Sequence, residues 1–186
     1  MSKLESKEKE ILELFFDYPT KYWHFGAIRN EINLADNKIS KWLKKFQKED
    51  LIKRIKPRNK MPYYLANHAS SHFRNTKKVF ALTKLHECGL LDYLTSLEEA
   101  KTVIIFGSFS RGDWYKESDI DVFIYGDVDN LNLGTYLSKL HREIQVFSGK
   151  NTEDLQQIGS ALLRNILKGT TIKGDIPQEV INNAAI

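Results

Sequence analysis

The segment from residue 103 to residue 125, VIIFGSFSRGDWYKESDIDVFIY, constrains the fold most strongly. It contains two apolar runs typical of buried strands, separated by a polar stretch that begins at Gly107 and Ser108. The second run carries Asp119 and Asp121, which lie on one face of a strand because strand side chains alternate. The sequence therefore predicts two strands, the first ending in a glycine turn and the second carrying a carboxylate pair.

This combination of residue types indicates a particular chemistry. Two adjacent carboxylates repel each other unless a cation lies between them, and Mg²⁺ prefers such hard oxygen ligands. Gly107 permits a tight turn with close backbone approach, and the amides of such a turn suit a phosphate. A plain turn and a solvated strand edge are the alternative, although Asp is uncommon within strands. Together the two features favour phosphoryl or nucleotidyl transfer.

The motif resembles that of the nucleotidyltransferase superfamily related to DNA polymerase beta, and most closely its minimal branch. The family pattern is an apolar residue, Gly-Ser or Gly-Gly, a short insert and then Asp-apolar-Asp. Here it is filled by Phe106, Gly107, Ser108, Asp119, Ile120, Asp121 and Val122. The resemblance implies transfer of an NMP from an NTP to a hydroxyl acceptor with Mg²⁺ or Mn²⁺.

The resemblance also implies roles for individual residues. Asp119 and Asp121 would be catalytic and bind the metal, while Gly107 and Ser108 would hold the phosphates. Arg111 and Lys116, in the insert, would neutralise phosphate charge, and exposed loop cations without a role in binding are the alternative. Minimal relatives commonly occur in toxin–antitoxin pairs in which the transferase modifies its partner. A cognate toxin is therefore an expected acceptor, beside RNA or a small molecule.

Catalytic family members usually add a third acid from a neighbouring strand. In HREIQVFS, Glu143 and Gln145 face the same way. Gln145 is the better positional match because apolar residues flank it, but an amide cannot act as a base. We expect Glu143 to be the third catalytic and metal-binding carboxylate, and Gln145 remains the alternative.

The N-terminal third of the chain has a different pattern. Helical periodicity predicts helices over 6–17, over 24–32 and from residue 36 or 37, followed by strands at 51–55 and 63–65. This order resembles a winged helix-turn-helix over residues 6–66. Residues 1–66 contain 15 basic and 9 acidic residues, against 13 and 15 in the rest of the chain. Such asymmetry favours a polyanionic partner, and duplex DNA is the expected one.

In winged helices the third helix enters the major groove and the wing follows the phosphate backbone. A solvated lysine-rich face is the alternative. The residues predicted to contact DNA are Asn37, Lys38, Ser40, Lys41, Lys44 and Lys45 on the helix, and Lys53, Arg54, Lys56, Arg58 and Lys60 on the wing.

The predicted fold class is α+β. We expect a winged helix-turn-helix over 1–66, a linking helix over 67–95 and a minimal nucleotidyltransferase lobe over 96–186. The lobe alternates strands and helices, which predicts a small mixed sheet. Predicted strands lie at 102–106, 119–125 and 142–147, with an edge strand near residue 170, and predicted helices lie at 133–141 and 153–168.

Composition bounds the remaining possibilities. A single cysteine, Cys88, excludes a disulfide within the chain and fits a reducing compartment. There is no signal-peptide pattern and no apolar run long enough for a membrane span, so we expect a cytoplasmic protein without a membrane partner. The linking helix is a candidate surface for a homodimer.

Three functional interpretations follow from these patterns. The first is a DNA-tethered nucleotidyltransferase. The second is a transcriptional regulator whose transferase lobe is weak or inactive and senses a nucleotide. The third is a winged helix used for protein contact, in which the basic residues only solubilise the chain.

Overall fold

A computed structural model describes residues 6–129 and 131–185. The chain forms two compact units with mixed α and β structure. The first unit runs to Lys77 and also includes Trp114–Lys116. The second unit contains Lys78–Asp113 and the chain from Glu117 onwards. No helix among the described residues combines the length and apolarity that crossing a membrane requires.

The first unit contains three helices and a small antiparallel sheet, and helix α4 begins within it. Its strands are arranged in the order β1-β3-β2. The predicted helices and the hairpin are present, whereas the two-residue strand β1 was not predicted because it is too short to show alternation. The elements are α1 (Ser6–Asp17), β1 (Trp23–His24), α2 (Phe25–Ile32), α3 (Asp36–Lys48), β2 (Ile52–Ile55), β3 (Tyr63–Ala66) and α4 (Ser71–Glu87).

The core of the first unit is aromatic and encloses a lysine. Helix α3 buries one stripe at helical spacing, while its other face carries lysines. The side chain of Lys77 is almost fully buried. Its ammonium donates hydrogen bonds to the carbonyl oxygens of Phe16, at 2.7 Å, and of Trp114. It also lies 4.4 Å from the ring centroid of Trp114 and 5.9 Å from that of Phe73. Carbonyl oxygens and ring faces together stabilise the buried charge.

The second unit is built on a four-stranded mixed sheet in the order β6-β5-β4-β7. Strands β5 and β6 are parallel, while β4 is antiparallel to both of its neighbours. The elements of the unit after α4 are α5 (Leu90–Ser96), β4 (Ala100–Phe106), α6 (Gly107–Arg111), β5 (Ile120–Gly126), α7 (Gly134–Leu140), β6 (Ile144–Gly149), α8 (Thr152–Ile158), α9 (Ser160–Ile166), β7 (Thr170–Lys173) and α10 (Gln178–Ala185).

The central strands β4 and β5 are apolar on both faces, which explains their nearly continuous hydrophobic sequences. One face forms a core with α8, α9 and α10. This core includes Ile104, Phe106, Phe123, Tyr125, Leu155, Leu163, Ile166 and Val180. A sheet fixed in this way holds the end of β4 and the start of β5 rigidly.

Two predicted helices are each divided in the structure. The predicted helix at 153–168 is α8 followed by α9, because Gly159, with φ of +83°, interrupts the helix. The predicted linking helix is α4 followed by α5, with Gly89 at φ of +87° between them. Helix α6 and helix α10 were not predicted, since a helix as short as α6 shows little periodicity.

Candidate active site and basic surface

The end of β4 and the start of β5 form the centre of the candidate active site. Phe106, the last residue of β4, pairs with Asp121 of β5, so the turn that follows β4 lies beside the Asp121 carboxylate. Gly107 has φ of +67°, a conformation that residues with a side chain rarely adopt. A Cβ atom at this position would lie 1.9 Å from Asp121 Oδ2. Only glycine therefore permits both the turn and the approach of the carboxylate.

The carboxylate pair is half-buried at the start of β5. Asp119 directly precedes the strand, and Asp121 is its second residue. Burial raises the pKa of Asp121, and the charge of Asp119 raises it further, while the guanidinium of Arg111 acts in the opposite direction. The site therefore concentrates negative charge that its own cation only partly offsets. Such an arrangement favours binding of a positively charged ion.

The parallel strand β6 determines which residue lies next to this pair. Asp121 is in register with Gln145, and the Gln145 Nε2 donates a hydrogen bond of 2.7 Å to Asp119 Oδ2. Glu143 precedes β6 with an exposed side chain, and its backbone carbonyl accepts a bond of 2.9 Å from the Ile120 amide. The side chain of Gln145, the alternative residue, thus lies beside the carboxylate pair.

The structure does not bring the three expected carboxylates of Asp119, Asp121 and Glu143 together, and a role of Glu143 in catalysis stays a prediction. Among the described residues no group of three His, Cys, Asp or Glu side chains is placed to hold a metal ion. Residues two apart along a strand are separated by roughly 6.6 Å. Because Gln145 pairs with Asp121, Glu143 lies about that far along the strand from the carboxylate pair. The side chains that the structure brings together are those of Asp119 and Asp121, with Gln145 bonded to the former.

The two predicted phosphate-binding cations have different surroundings. Arg111 ends α6, where its Nε lies 3.0 Å from Asp113 Oδ2, and its side chain is half-exposed. Its charge acts on Asp121, as the pKa of that carboxyl shows. Lys116 belongs to the first unit, and its ammonium lies 3.7 Å from Asp17 Oδ2. Arg111 is therefore grouped with the carboxylate pair, and Lys116 with Asp17.

Arg142 supports the site and was not predicted. Its Nη1 donates a hydrogen bond of 3.0 Å to the carbonyl oxygen of Ser118, the residue before Asp119. Its guanidinium also lies 5.3 Å from the ring centroid of Phe109 in α6. Arg142 thus connects the backbone that carries Asp119 to the helix that follows Gly107. No local pattern marks this role, because both contacts are distant in sequence.

The predicted DNA-contacting residues lie on α3 and on the β2–β3 hairpin of the first unit. On α3, Asn37, Lys38, Lys41 and Lys44 are exposed, and Ser40 is half-buried. On the hairpin, the exposed cations are Lys53, Arg54, Lys56, Arg58 and Lys60.

Lys45 differs from the other lysines of α3. Its ammonium lies 2.5 Å from Oε1 of Glu8, whose side chain is buried. A buried carboxylate requires such a partner, so Lys45 has a structural role within the unit. A contact of Lys45 with DNA stays a prediction, beside its ion pair with Glu8.

Comparison with known proteins assigns a class to the second unit. Residues 87–175 match the nucleotidyltransferase domain family. The matched range includes the Gly107 turn, the carboxylate pair and Gln145. The candidate active site therefore lies within the range that matches this family.

Individual relatives share shorter or more distant similarity. A curated protein of Methanocaldococcus jannaschii, named "Putative protein adenylyltransferase MJ0604", is 62% identical over 29 residues, which are 16% of this chain and 29% of that protein. The chain thus matches less than a third of that relative's length. A solved structure described as a toxin-antitoxin with AMP-PNP is 19% identical and has a TM-score of 0.36, covering 60% of this chain and 82% of that one.

Proposed function

We propose that this protein transfers an NMP from an NTP to a hydroxyl group of an acceptor. The observation that carries the proposal is the β4–β5 register, which sets the Gly107 turn against the Asp121 carboxylate. This arrangement joins a phosphate-binding turn to a pair of metal-binding groups, and it lies in the range that matches the nucleotidyltransferase domain. Phosphate and cation would therefore be bound side by side.

The donor set fits a hard divalent cation. Asp119 and Asp121 would hold it, since both are half-buried carboxylates and the pKa of Asp121 is raised by burial and by its neighbour. Mg²⁺ or Mn²⁺ held by these two residues would supply positive charge for the phosphates and for the pyrophosphate leaving group.

The protein's own residues bind and orient the nucleotide. The backbone amides of the Gly107 turn and the Ser108 hydroxyl would hold the β- and γ-phosphates. Arg111 supplies a positive charge that acts to lower the pKa of Asp121. Gln145 fixes one oxygen of Asp119, while Arg142 holds the preceding carbonyl. Each of these residues positions a group that meets the nucleotide.

Removal of the proton from the acceptor hydroxyl is the step for which the described residues provide no base beside the carboxylate pair. Gln145 cannot accept that proton, because an amide is not a base at physiological pH. Glu143 remains the proposed base from sequence, on the same face of the strand but outside the pair. We expect slow turnover for this reason.

A protein is the acceptor we propose, with a cognate toxin as the particular candidate. The name of the Methanocaldococcus jannaschii relative, a protein adenylyltransferase, supports a protein acceptor and makes ATP the first donor to test. RNA and small molecules are the competing acceptors.

The proposal is tested by transfer of label from α-phosphate-labelled NTPs into host-cell extract with Mg²⁺ or Mn²⁺. An Asp119→Asn/Asp121→Asn variant is run beside the unchanged protein. Asp92→Asn is the control, because Asp92 is an exposed aspartate on α5. We expect a labelled band with the unchanged protein and the control that is absent with the double variant. A band that persists in the double variant contradicts the proposal.

We also propose that the first unit is a winged helix-turn-helix that binds duplex DNA. Three helices followed by a hairpin support this, together with exposed cations on both α3 and the hairpin. Binding through phosphate contacts releases counterions, so affinity should fall steeply with rising salt. Duplex binding that is absent or independent of salt would favour the protein-contact interpretation.

A nucleotide-sensing regulator is the second candidate function, and Gln145 is the observation that favours it. A site without a third carboxylate holds a cation and a nucleotide but lacks an acid to activate the acceptor. In this case a nucleotide would change DNA affinity without forming a product. DNA affinity that is unaffected by nucleotide excludes the sensor.

A homodimer through the α4–α5 region stays a prediction.

A further inference from the structure

The first unit contains a groove of about 600 Å³ that the proposed α3 interface does not use. It lies where β1 and β3 meet the turn between β2 and β3. Its volume is in the range of pockets that hold small organic ligands. The lining residues are Tyr22, His24, Pro57, Lys60, Met61 and Tyr63.

Three aromatic rings give the groove a defined shape. The rings of Tyr22 and Tyr63 meet edge to face, with centroids 4.9 Å apart and planes at 83°. The His24 ring lies 6.1 Å from that of Tyr63, and its Nδ1 is 3.0 Å from the Pro62 carbonyl oxygen. Two perpendicular rings form a corner in which a planar group can stack on one ring and meet the other at its edge.

The groove is open, and two of its side chains expose large apolar surface. Tyr22 is 63% exposed and Met61 is 75% exposed. Because these side chains line one concave surface together, a ligand that covers them removes their apolar surface from water. An apolar ligand that covers them would therefore bind favourably.

Charge identifies the class of ligand. None of the six lining residues is acidic, and Lys60 contributes an ammonium group. The same turn supplies the exposed cations Lys56 and Arg58. The ligand should therefore combine a flat aromatic group with negative charge, which describes a nucleobase and its neighbouring phosphates.

We propose that this groove binds an unpaired nucleobase of a DNA strand, with the base stacked on the exposed ring of Tyr22, its edge toward Tyr63 and Lys60 at an adjoining phosphate. The inference rests on the proposed DNA binding of the first unit and adds to it. Duplex DNA would lie along α3 and the hairpin, while an unpaired base next to the duplex enters the groove. The protein would then prefer a junction between duplex and single-stranded DNA.

The test is fluorescence anisotropy of the full chain at one fixed salt concentration. The probes are a blunt duplex and the same duplex with a short single-stranded overhang on either strand. Stacking of one base on an aromatic side chain corresponds to roughly tenfold in affinity, so we expect the overhang duplex to bind about tenfold more tightly. A fluorescent adenine analogue in the overhang should be quenched on binding.

Variants separate stacking from charge. Tyr22→Ser should abolish both the preference and the quenching and leave blunt-duplex affinity unchanged, whereas Tyr22→Phe should preserve both. Lys53→Ala, on β2 and outside the groove, should weaken both DNAs alike. Because Tyr22 is mostly exposed, its replacement should not unfold the unit, and circular dichroism checks this.

The outcomes separate binding of a base in the groove from duplex binding by the first unit. Equal affinity for both duplexes, or a preference that survives Tyr22→Ser, overturns the groove assignment and leaves duplex binding intact. If neither DNA binds, the groove assignment and the DNA-binding role of the first unit both fail.

Discussion

Replacing Gln145 by glutamate should make the stability of the protein depend on divalent cations. The substitution keeps the shape of the side chain and puts a charged oxygen where Nε2 now lies, 2.7 Å from Asp119 Oδ2. Because Gln145 is exposed, the dielectric constant of water applies, and two charges at that distance repel by about 1.5 kcal/mol. Loss of the hydrogen bond adds about 1 kcal/mol.

Together these effects amount to about 2 kcal/mol after allowance for solvent screening, which lowers the melting temperature of a chain of this size by about 5 °C. An added divalent cation reverses the effect, since a third carboxylate ligand strengthens binding to the folded state. We therefore expect the Gln145→Glu variant to be less stable than the unchanged protein in chelator. In Mn²⁺ it should gain more stability than the unchanged protein does.

Thermal unfolding followed by circular dichroism, in EDTA and across a Mn²⁺ titration, measures both effects. Gln157→Glu is the matched control, because it makes the same charge change at an exposed position of α8. Gln145→Ala removes the hydrogen bond without adding charge and should lose stability without gaining sensitivity to Mn²⁺. Equal behaviour of Gln145→Glu and Gln157→Glu would refute the placement of Gln145 at the carboxylate pair.

Four further predictions test other parts of the site. Gly107→Ala should destabilise the second unit and weaken Mn²⁺-dependent nucleotide binding, measured by calorimetry, because the added Cβ would meet Asp121 Oδ2. Gly26→Ala is the control and should leave binding unchanged, because its added Cβ would have no neighbour within 4 Å. Because the pKa of Asp121 is raised, this carboxylate takes up a proton at a pH where a free aspartate, of pKa about 3.9, is still ionised. The affinity for Mn²⁺ should therefore already fall in that pH range as the pH decreases. A raised pKa also means that ionisation of Asp121 lowers the stability of the folded protein as the pH rises through the pKa of the folded state. Asp121→Asn should therefore raise the melting temperature at neutral pH in EDTA, and a lower melting temperature would contradict this. Glu143→Gln should slow label transfer if Glu143 is the base, and unchanged turnover removes it from the mechanism.

The central motif was predictable from sequence because its determinants are local. Alternation places Asp119 and Asp121 on one face of a strand, and a glycine at the end of an apolar run indicates a tight turn. The β4–β5 pairing that joins them follows from two buried strands separated by a short insert. Local patterns of this kind also predicted the helices and hairpin of the first unit.

The remaining features depend on contacts between residues that are distant in sequence. Alternation puts Glu143 and Gln145 on the same face, so only the register between β5 and β6 decides which lies beside the pair. The bond from Arg142 to the Ser118 carbonyl and the pairing of Lys45 with Glu8 depend on tertiary packing. The groove likewise requires a contact between the ring of Tyr22, which directly precedes β1, and the ring of Tyr63 in β3.

The most direct test of the central claim is a comparison of two labels on one nucleotide. The full chain is incubated with Mn²⁺, host-cell extract and ATP labelled either at the α- or at the γ-phosphate, and acceptor-bound label is measured. Nucleotidyl transfer predicts that α-label appears on an acceptor while γ-label leaves with pyrophosphate. Incorporation should be lost in the Asp119→Asn/Asp121→Asn variant. Incorporation of γ-label that is lost in the Asp119→Asn/Asp121→Asn variant, or no α-label under conditions where the protein binds ATP, would contradict the claim.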